Sequence, residues 1–85
     1  MEYKIVFSDE AIKDIEILDE KIAKRIIKKL SWFSEQENPL SFCAPLKYKV
    51  IGEYRYRIGN YRIIFDCKKR KIIILRICHR LSIYK

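Results

Sequence analysis

Residues 54–65 read Tyr-Arg-Tyr-Arg-Ile-Gly-Asn-Tyr-Arg-Ile-Ile-Phe, two β-rich runs on either side of Gly59-Asn60. The first run alternates with a period of two, which is typical of a strand with one buried face. A two-residue connection that contains Gly predicts a tight β-hairpin. In such a hairpin Ile58 lies opposite Tyr61, and the pairing proceeds outward from these two residues.

This pairing sorts the side chains of the hairpin onto two faces, because directly opposed residues share a face of a sheet. Arg57 falls opposite Arg62, and Arg55 shares their face, whereas Glu53 and Asp66 fall at the far end of the hairpin. Opposed like charges destabilise a sheet. The pattern is therefore compatible with guanidiniums that spread into solvent or with guanidiniums that converge on a phosphate. The opposite face, predicted to pack on helices, carries Tyr54, Tyr56, Ile58, Tyr61, Ile63 and Phe65.

The residues before the hairpin predict a strand followed by two helices. Residues 3–7 are β-rich, and Ser8 is a suitable N-cap for a helix over residues 9–18. Asp19 is expected to cap a second helix that ends before Asn38-Pro39. With almost no linker between them, the helices are expected to form an antiparallel hairpin. The apolar stripe of the second helix comprises Ile22, Ala23, Ile26, Ile27, Leu30 and Phe33.

Everything after Pro45 is predicted to be strand, with a second, looser turn over residues 66–70 and an apolar, central strand over residues 71–78. The fold class is therefore α+β, with a helical hairpin on one face of a small antiparallel sheet. Alternation along the last strand places Arg76, Cys78 and Arg80 on one side and Ile73, Leu75, Ile77 and His79 on the other. If the apolar set faces the helices, Arg76 and Arg80 join the arginine face.

Composition sets the class of protein. A chain of 85 residues with 49% apolar and 35% charged residues forms one domain, residues 1–85, with a core. No apolar run reaches the ~20 residues of a membrane span, and the N-terminus lacks a secretory pattern, so we expect a cytoplasmic protein with no membrane partner. Cys43, Cys67 and Cys78 include no C-x-x-C pair, which favours reduced thiols over a disulfide or a metal site.

The charge of the chain is concentrated in its second half. Residues 1–42 hold 7 basic and 9 acidic residues, whereas residues 43–85 hold 12 basic and 2 acidic residues, within a net charge of +8. Such a basic region attracts a phosphate backbone or an acidic protein, although it is also compatible with a solvated surface.

Three groups of residues resemble the RelE/ParE superfamily of type II toxins: Pro45-Leu46-Lys47, the run from Gly52 through Arg62, and Cys78-His79-Arg80 followed by Ile83-Tyr84. The resemblance covers nearly the whole chain, and its closing residues are more similar to the RelE branch. It implies a fold like that of small microbial ribonucleases and cleavage of mRNA in the ribosomal A site, without a cofactor. It also implies a RelB-like antitoxin, acidic and partly disordered when free, and a toxin–antitoxin heterotetramer.

The resemblance also implies roles for individual residues. Arg62 is similar to the transition-state arginine of RelE enzymes, Arg80 to their second arginine, and Tyr84 to their C-terminal tyrosine. Arg55 and Arg57 occupy the basic positions where some RelE enzymes have lysine. The phosphate-binding set is expected to comprise Lys47, Arg55, Arg57 and Arg76.

The general base is left open by the sequence. A lysine can lose its proton and act as a base, but an arginine effectively cannot. Tyr84 and His79 are therefore the candidates, and His79 has the better intrinsic pKa but the less favourable face. A ParE-like gyrase inhibitor without nuclease activity, and a non-toxic module that binds nucleic acid or an antitoxin, are the alternative functions.

Overall fold

The structure, a computed structural model, describes residues 3–46 and 51–79. Two helices pack on a five-stranded sheet, which confirms the α+β class. The helices are α1 (Asp9–Glu16) and α2 (Glu20–Ser34), and a short 3₁₀ helix covers Pro39–Phe42. The strands are β1 (Lys4–Phe7), β2 (Ala44–Pro45), β3 (Tyr54–Ile58), β4 (Tyr61–Lys68) and β5 (Lys71–His79).

The sheet is mixed, with the strand order β1-β5-β4-β3-β2. Strands β2 to β5 pair antiparallel, but β1 pairs parallel to β5, so the prediction of a purely antiparallel sheet is wrong at this strand. Parallel pairing requires a long crossover connection. Residues 8–70, between the end of β1 and the start of β5, supply it. As predicted, β5 is central, between β1 and β4.

The hairpin of β3 and β4 has the predicted register. Ile58 lies opposite Tyr61 and Arg57 lies opposite Arg62. Gly59 has φ of 58°, the left-handed region that only Gly adopts without cost, which accounts for its place in the turn. All six residues predicted to face the helices are in the core or packed against it.

The helices form where the sequence predicts, with local differences. The Ser8 hydroxyl caps α1 by accepting from the Ala11 N–H at 3.0 Å. Asp19 precedes α2, but its side chain makes no capping hydrogen bond. Phe33 of α2 lies at the centre of the core, with its ring stacked on Tyr56 at 4.2 Å. Ile27, expected in the buried stripe, is about half exposed.

Two predictions about the last two strands are wrong. The turn between β4 and β5 is a tight one, because Lys69 and Arg70 both have positive φ (47° and 63°) as in a type I′ turn. The alternation along β5 also changes. Ile64 pairs with Arg76 but Phe65 pairs with Ile74, so Leu75 is an extra residue in a bulge.

The bulge moves the buried set of β5 by one residue. Ile72 and Ile74 before the bulge and Ile77 after it are in the core, whereas Ile73 and Leu75 are only half-buried. An uninterrupted two-residue period predicted that Ile73, Leu75 and Ile77 face the helices. The prediction is correct only for Ile77, which follows the bulge.

The described residues immediately before β3 are not strand, contrary to the prediction. Residues 51–53 form a bend whose Gly52 is buried against β4 and β5. A Cβ at Gly52 would come within 2.5 Å of Ile64 Cγ2, so the close approach requires Gly. Asp66 holds the bend by accepting a hydrogen bond from the Glu53 N–H at 2.9 Å.

Candidate functional site

The three arginines of the hairpin line one cavity of about 380 Å³. Arg55 and Arg57 are exposed at its edge, whereas Arg62 is buried, with 8% of its surface exposed. Burial of Arg62 argues against guanidiniums that merely spread into water, because a cation is taken out of water only at a cost. We call this space, lined by Arg55, Arg57 and Arg62, the arginine cavity.

The other lining residues that the structure describes come from the chain around the end of the 3₁₀ helix, where the sequence shows no functional signal. Phe42, Cys43 and Ala44 line it beside the arginines. Ala44 is held against the sheet because it pairs with Arg55. The cavity has no carboxylate among the lining residues that the structure describes. Its chemistry is therefore that of an anion site with one aromatic wall.

The thiol of Cys43 is not prepared for nucleophilic chemistry. Burial, followed by the nearby Cys67, raises its pKa to about 11. The thiol also donates to the Leu40 carbonyl at 3.2 Å. Since the thiolate is the reactive form, Cys43 serves as an apolar wall of the cavity at neutral pH. All three cysteines are half-buried free thiols.

Arg76 lies on the same face of the sheet as Arg55, as predicted, because both pair with Ile64. It does not line the arginine cavity, however, and its role in phosphate binding stays a prediction. Its guanidinium binds both carboxylate oxygens of Asp14 on α1, with Nε at 2.8 Å and Nη2 at 3.1 Å. Asp14 also accepts the Ile77 N–H at 2.8 Å. This contact lies on the part of β5 beyond Ile74, where the strand no longer pairs with β1 and α1 packs against it.

The environment of Asp14 matches this structural role. Burial raises its pKa, but the hydrogen bonds from Arg76 and from the Ile77 N–H, with the charge of Arg76, outweigh burial, so the net shift is downward. The carboxylate is 13% exposed and ionised at neutral pH. Arg76 is thus committed to an ion pair that ties α1 to the sheet.

His79 lies on the helix side of the sheet. It is opposite Tyr61, with the two rings edge to face at 5.3 Å, and it lines a different cavity together with Asp14 and Ile17. His79 does not line the arginine cavity. The geometry therefore argues against His79 as the acid or base of a reaction at the arginines.

Three predicted site residues, Lys47, Arg80 and Tyr84, lie outside the described residues. Their roles stay predictions from the family resemblance. The last described residues of β5 run beside the arginines, since Cys78 is opposite Arg62.

A second basic surface borders the arginine cavity. The exposed face of α2 and the hairpin turn enclose a groove of about 660 Å³, which we call the α2 groove. The hairpin side comprises Arg57, Ile58 and Gly59, and Trp32 forms part of the floor. Arg57 lines both spaces, so they adjoin. The helix side carries Lys21, Lys24, Arg25, Lys28 and Lys29.

The described residues include no group of three or more His, Cys, Asp or Glu side chains placed to hold a metal ion. Within residues 3–46 and 51–79, no helix is long and apolar enough to span a membrane.

Comparison with known proteins identifies the family. Residues 5–84 match the family model described as the ParE toxin of the type II toxin–antitoxin system parDE. The chain is also 34% identical over 84 residues to Toxin RelE3 of Methanocaldococcus jannaschii, an alignment that covers 95% of this chain and 94% of that protein. The protein belongs to the RelE/ParE family and is the toxin component of a type II toxin–antitoxin system.

Solved structures agree with this assignment. The toxin–antitoxin complex RelBE2 of Mycobacterium tuberculosis contains a chain with a TM-score of 0.82 and 25% identity, covering 94% of this chain and 93% of that one. The RelB–RelE complex of Methanococcus jannaschii gives a TM-score of 0.68 at 30% identity, covering 93% and 94%. The RelE–RelB complex of Pyrococcus horikoshii, at 22% identity and a TM-score of 0.72, covers 94% and 97% and supports the fold.

Proposed function

We propose that this toxin is a ribosome-dependent mRNA endoribonuclease of the RelE type, acting in the cytoplasm without a metal ion. The observation that carries the proposal is the arginine cavity, where Arg55, Arg57 and a buried Arg62 converge and where the lining residues that the structure describes include no carboxylate. Guanidinium groups match the oxygens of a phosphate in geometry and charge. The relationship to Toxin RelE3 supports the same choice.

The reaction needs no nucleophile from the protein, because RNA supplies its own. The 2′-oxygen attacks the adjacent phosphorus, the bond to the 5′-oxygen breaks, and the products are a 2′,3′-cyclic phosphate and a 5′-hydroxyl. One group must remove the 2′-proton, and another must protonate the leaving oxygen. The phosphate oxygens gain negative charge in the transition state, where arginines placed in advance stabilise it more than the ground state.

The proton donor and acceptor are not provided by the cavity residues that the structure describes. Arginine stays charged and cannot act as a base, and the Cys43 pKa of about 11 keeps that thiol protonated. His79 lines another cavity. The family resemblance assigns removal of the 2′-proton to Tyr84 and a second phosphate contact to Arg80, and the leaving 5′-oxygen takes its proton from water.

The proposed partner is a RelB-like antitoxin, acidic and partly disordered until it binds. The solved relatives are themselves complexes with RelB-type antitoxins, and the basic second half of this chain and the lysines of α2 favour an acidic partner. We propose that it covers or disrupts the arginine cavity in a heterotetramer. Its affinity should fall as salt rises, and a flat salt dependence would contradict an electrostatic contribution.

The second candidate function is inhibition of gyrase, because the matching family model carries the ParE description. A gyrase inhibitor would act by binding alone. The arginines would then serve as contacts, and Tyr84 would be dispensable.

One experiment separates these functions. Purified toxin is combined with ribosomes programmed with a defined mRNA, and new 5′ ends are mapped by primer extension, while the same preparation is tested in a gyrase supercoiling assay. A nuclease gives A-site cuts with wild-type protein and about 10²–10³-fold fewer with Arg62→Ala. Inhibited supercoiling without cuts would reject the nuclease in favour of the ParE-like function. If the protein neither cuts mRNA nor inhibits supercoiling, the non-toxic binding module is the remaining function.

A further inference from the structure

The exposed aromatic pair of Phe42 and Trp32 lies at the border between the arginine cavity and the α2 groove. Phe42 is 49% exposed and lines the arginine cavity, whereas Trp32 is 39% exposed and lines the α2 groove. Their rings contact each other edge to face, with centroids 5.1 Å apart and planes 70° apart. Large aromatic rings that stay exposed to water lack the stabilisation that burial would bring. The exposed pair is therefore a candidate contact for a ligand.

The position of Phe42 is held by the structure around it. Phe42 ends the 3₁₀ helix, whose Pro39 is fully buried, and the next residue donates its N–H to the Leu40 carbonyl at 3.3 Å. Trp32 is in turn held by Lys29, whose Nζ lies 4.5 Å from the centre of the indole ring. The ring of Phe42 is thus presented to the arginine cavity by neighbours on two elements.

A nucleotide is the ligand that suits both parts of this site. It joins an anionic phosphate to a flat base, and the cavity joins three guanidiniums to an aromatic wall within one space. Its volume of about 380 Å³ lies in the ~300–1,000 Å³ range of small-ligand sites. Aromatic side chains beside a cationic track are how proteins hold single-stranded nucleic acid.

We propose that Phe42, supported by Trp32, stacks on the nucleobase adjacent to the phosphate held by Arg55, Arg57 and Arg62. The strand then continues past Arg57 into the α2 groove, where the lysines contact further phosphates. This inference rests on the proposed RNA substrate and adds a base-binding residue to it. Because every base has a π face, Phe42 contributes affinity and positioning with little sequence preference.

The test uses a short single-stranded RNA that carries 2-aminopurine and 2′-O-methyl groups throughout, so that it can bind but cannot be cleaved. Stacking quenches the fluorescence of 2-aminopurine, and titration at low salt gives the dissociation constant. We expect Phe42→Leu to weaken binding by about 5- to 150-fold, the equivalent of the 1–3 kcal/mol of a base–aromatic contact, and to abolish the quench. Phe42→Trp should retain both, and Trp32→Leu should show a smaller loss.

Ile17→Ala is the matched control, since it removes an exposed apolar side chain in a different cavity; it should bind like wild type. Phe42→Met, which also lacks a ring, replaces Phe42→Leu if circular dichroism shows that the leucine variant is unfolded. Wild-type affinity and quench in the ringless variant would overturn the proposal, as would a loss confined to antitoxin binding, which would assign the pair to a protein partner.

Two results distinguish a failure of the stacking proposal from a failure of the nuclease proposal. Wild-type protein that quenches the RNA probe in a Phe42-dependent way but cuts no mRNA would refute the nuclease and keep the stacking site. Protein that cuts mRNA on programmed ribosomes but leaves the probe fluorescence unchanged would refute the stacking site and keep the nuclease.

Discussion

Arg62 and Arg76 occupy comparable positions on neighbouring strands, yet they have different surroundings. Arg62 lies with Arg55 and Arg57 in a cavity that has no lining carboxylate among its described residues, whereas Arg76 donates from Nε and Nη2 to the two carboxylate oxygens of Asp14. Residue type and strand position are alike, so the difference lies in what each guanidinium faces: Arg76 faces a carboxylate of α1, and Arg62 faces a cavity shared with two further arginines. An arginine held by a carboxylate stabilises the fold, and arginines clustered around one cavity form a site for an anion.

The largest expected effect comes from breaking the arginine cavity. Arg62→Ala should reduce single-turnover cleavage on programmed ribosomes by about 10²–10³-fold, the loss typical of one preorganised donor at developing charge. Arg80→Ala should behave similarly and, like Arg62→Ala, abolish growth arrest. Thermal unfolding serves as the control, because Arg62 is buried; a rate loss that follows only the loss of folded protein would contradict a catalytic role.

The matching change at the other arginine site should affect stability. Asp14→Ala leaves the Ile77 N–H without its acceptor and should lower the free energy of unfolding by about 1–3 kcal/mol. Denaturant unfolding measures this, and cleavage per folded molecule should be unchanged. A specific loss of cleavage at full stability would show that the Asp14 pair belongs to the active site.

The Asp14 pair should also depend on pH. The pKa of Asp14 is lowered from 3.8 by the folded structure, so its contribution is complete above pH 3.8 and is lost as the pH falls through the lower folded-state value. The difference in stability between wild type and Asp14→Asn should therefore shrink over that acid range. A difference that stays constant down to full protonation would refute the ion pair as its source.

A smaller effect is expected in the α2 groove. Lys24→Ala and Lys28→Ala should weaken association with ribosomes or RNA mildly, and the loss should diminish as salt rises, with about 0.7 lost from the logarithmic salt slope per phosphate contact on a single strand. The readout is binding across a salt series. Loss of toxicity as complete as that of Arg62→Ala would contradict a localised active site.

The smallest expected effect is that of replacing His79, the alternative candidate for proton transfer. His79→Gln should leave cleavage unchanged because His79 lies outside the arginine cavity, whereas Tyr84→Phe should depress cleavage while ribosome binding is retained. Single-turnover rates across a range of pH compare the two variants. A His79→Gln variant that loses the pH dependence, with Tyr84→Phe unaffected, would transfer the role to His79.

The sequence alone determined the features that depend on neighbours along the chain. A two-residue turn with Gly59 determines which residues of β3 and β4 face each other, so the grouping of Arg55, Arg57 and Arg62 followed from local rules. The start of α1 at Ser8 followed in the same way, since a cap involves only the next few residues.

Tertiary structure decided the features that join distant parts of the chain. The parallel pairing of β1 with β5, the Arg76–Asp14 pair across 62 residues, and the meeting of Phe42 with the arginines all require the helices to be packed on the sheet. The bulge at Leu75 is of the same kind, because it sets the register between two whole strands. Local propensity carries no information about such contacts, which depend on how the buried faces fit together in space.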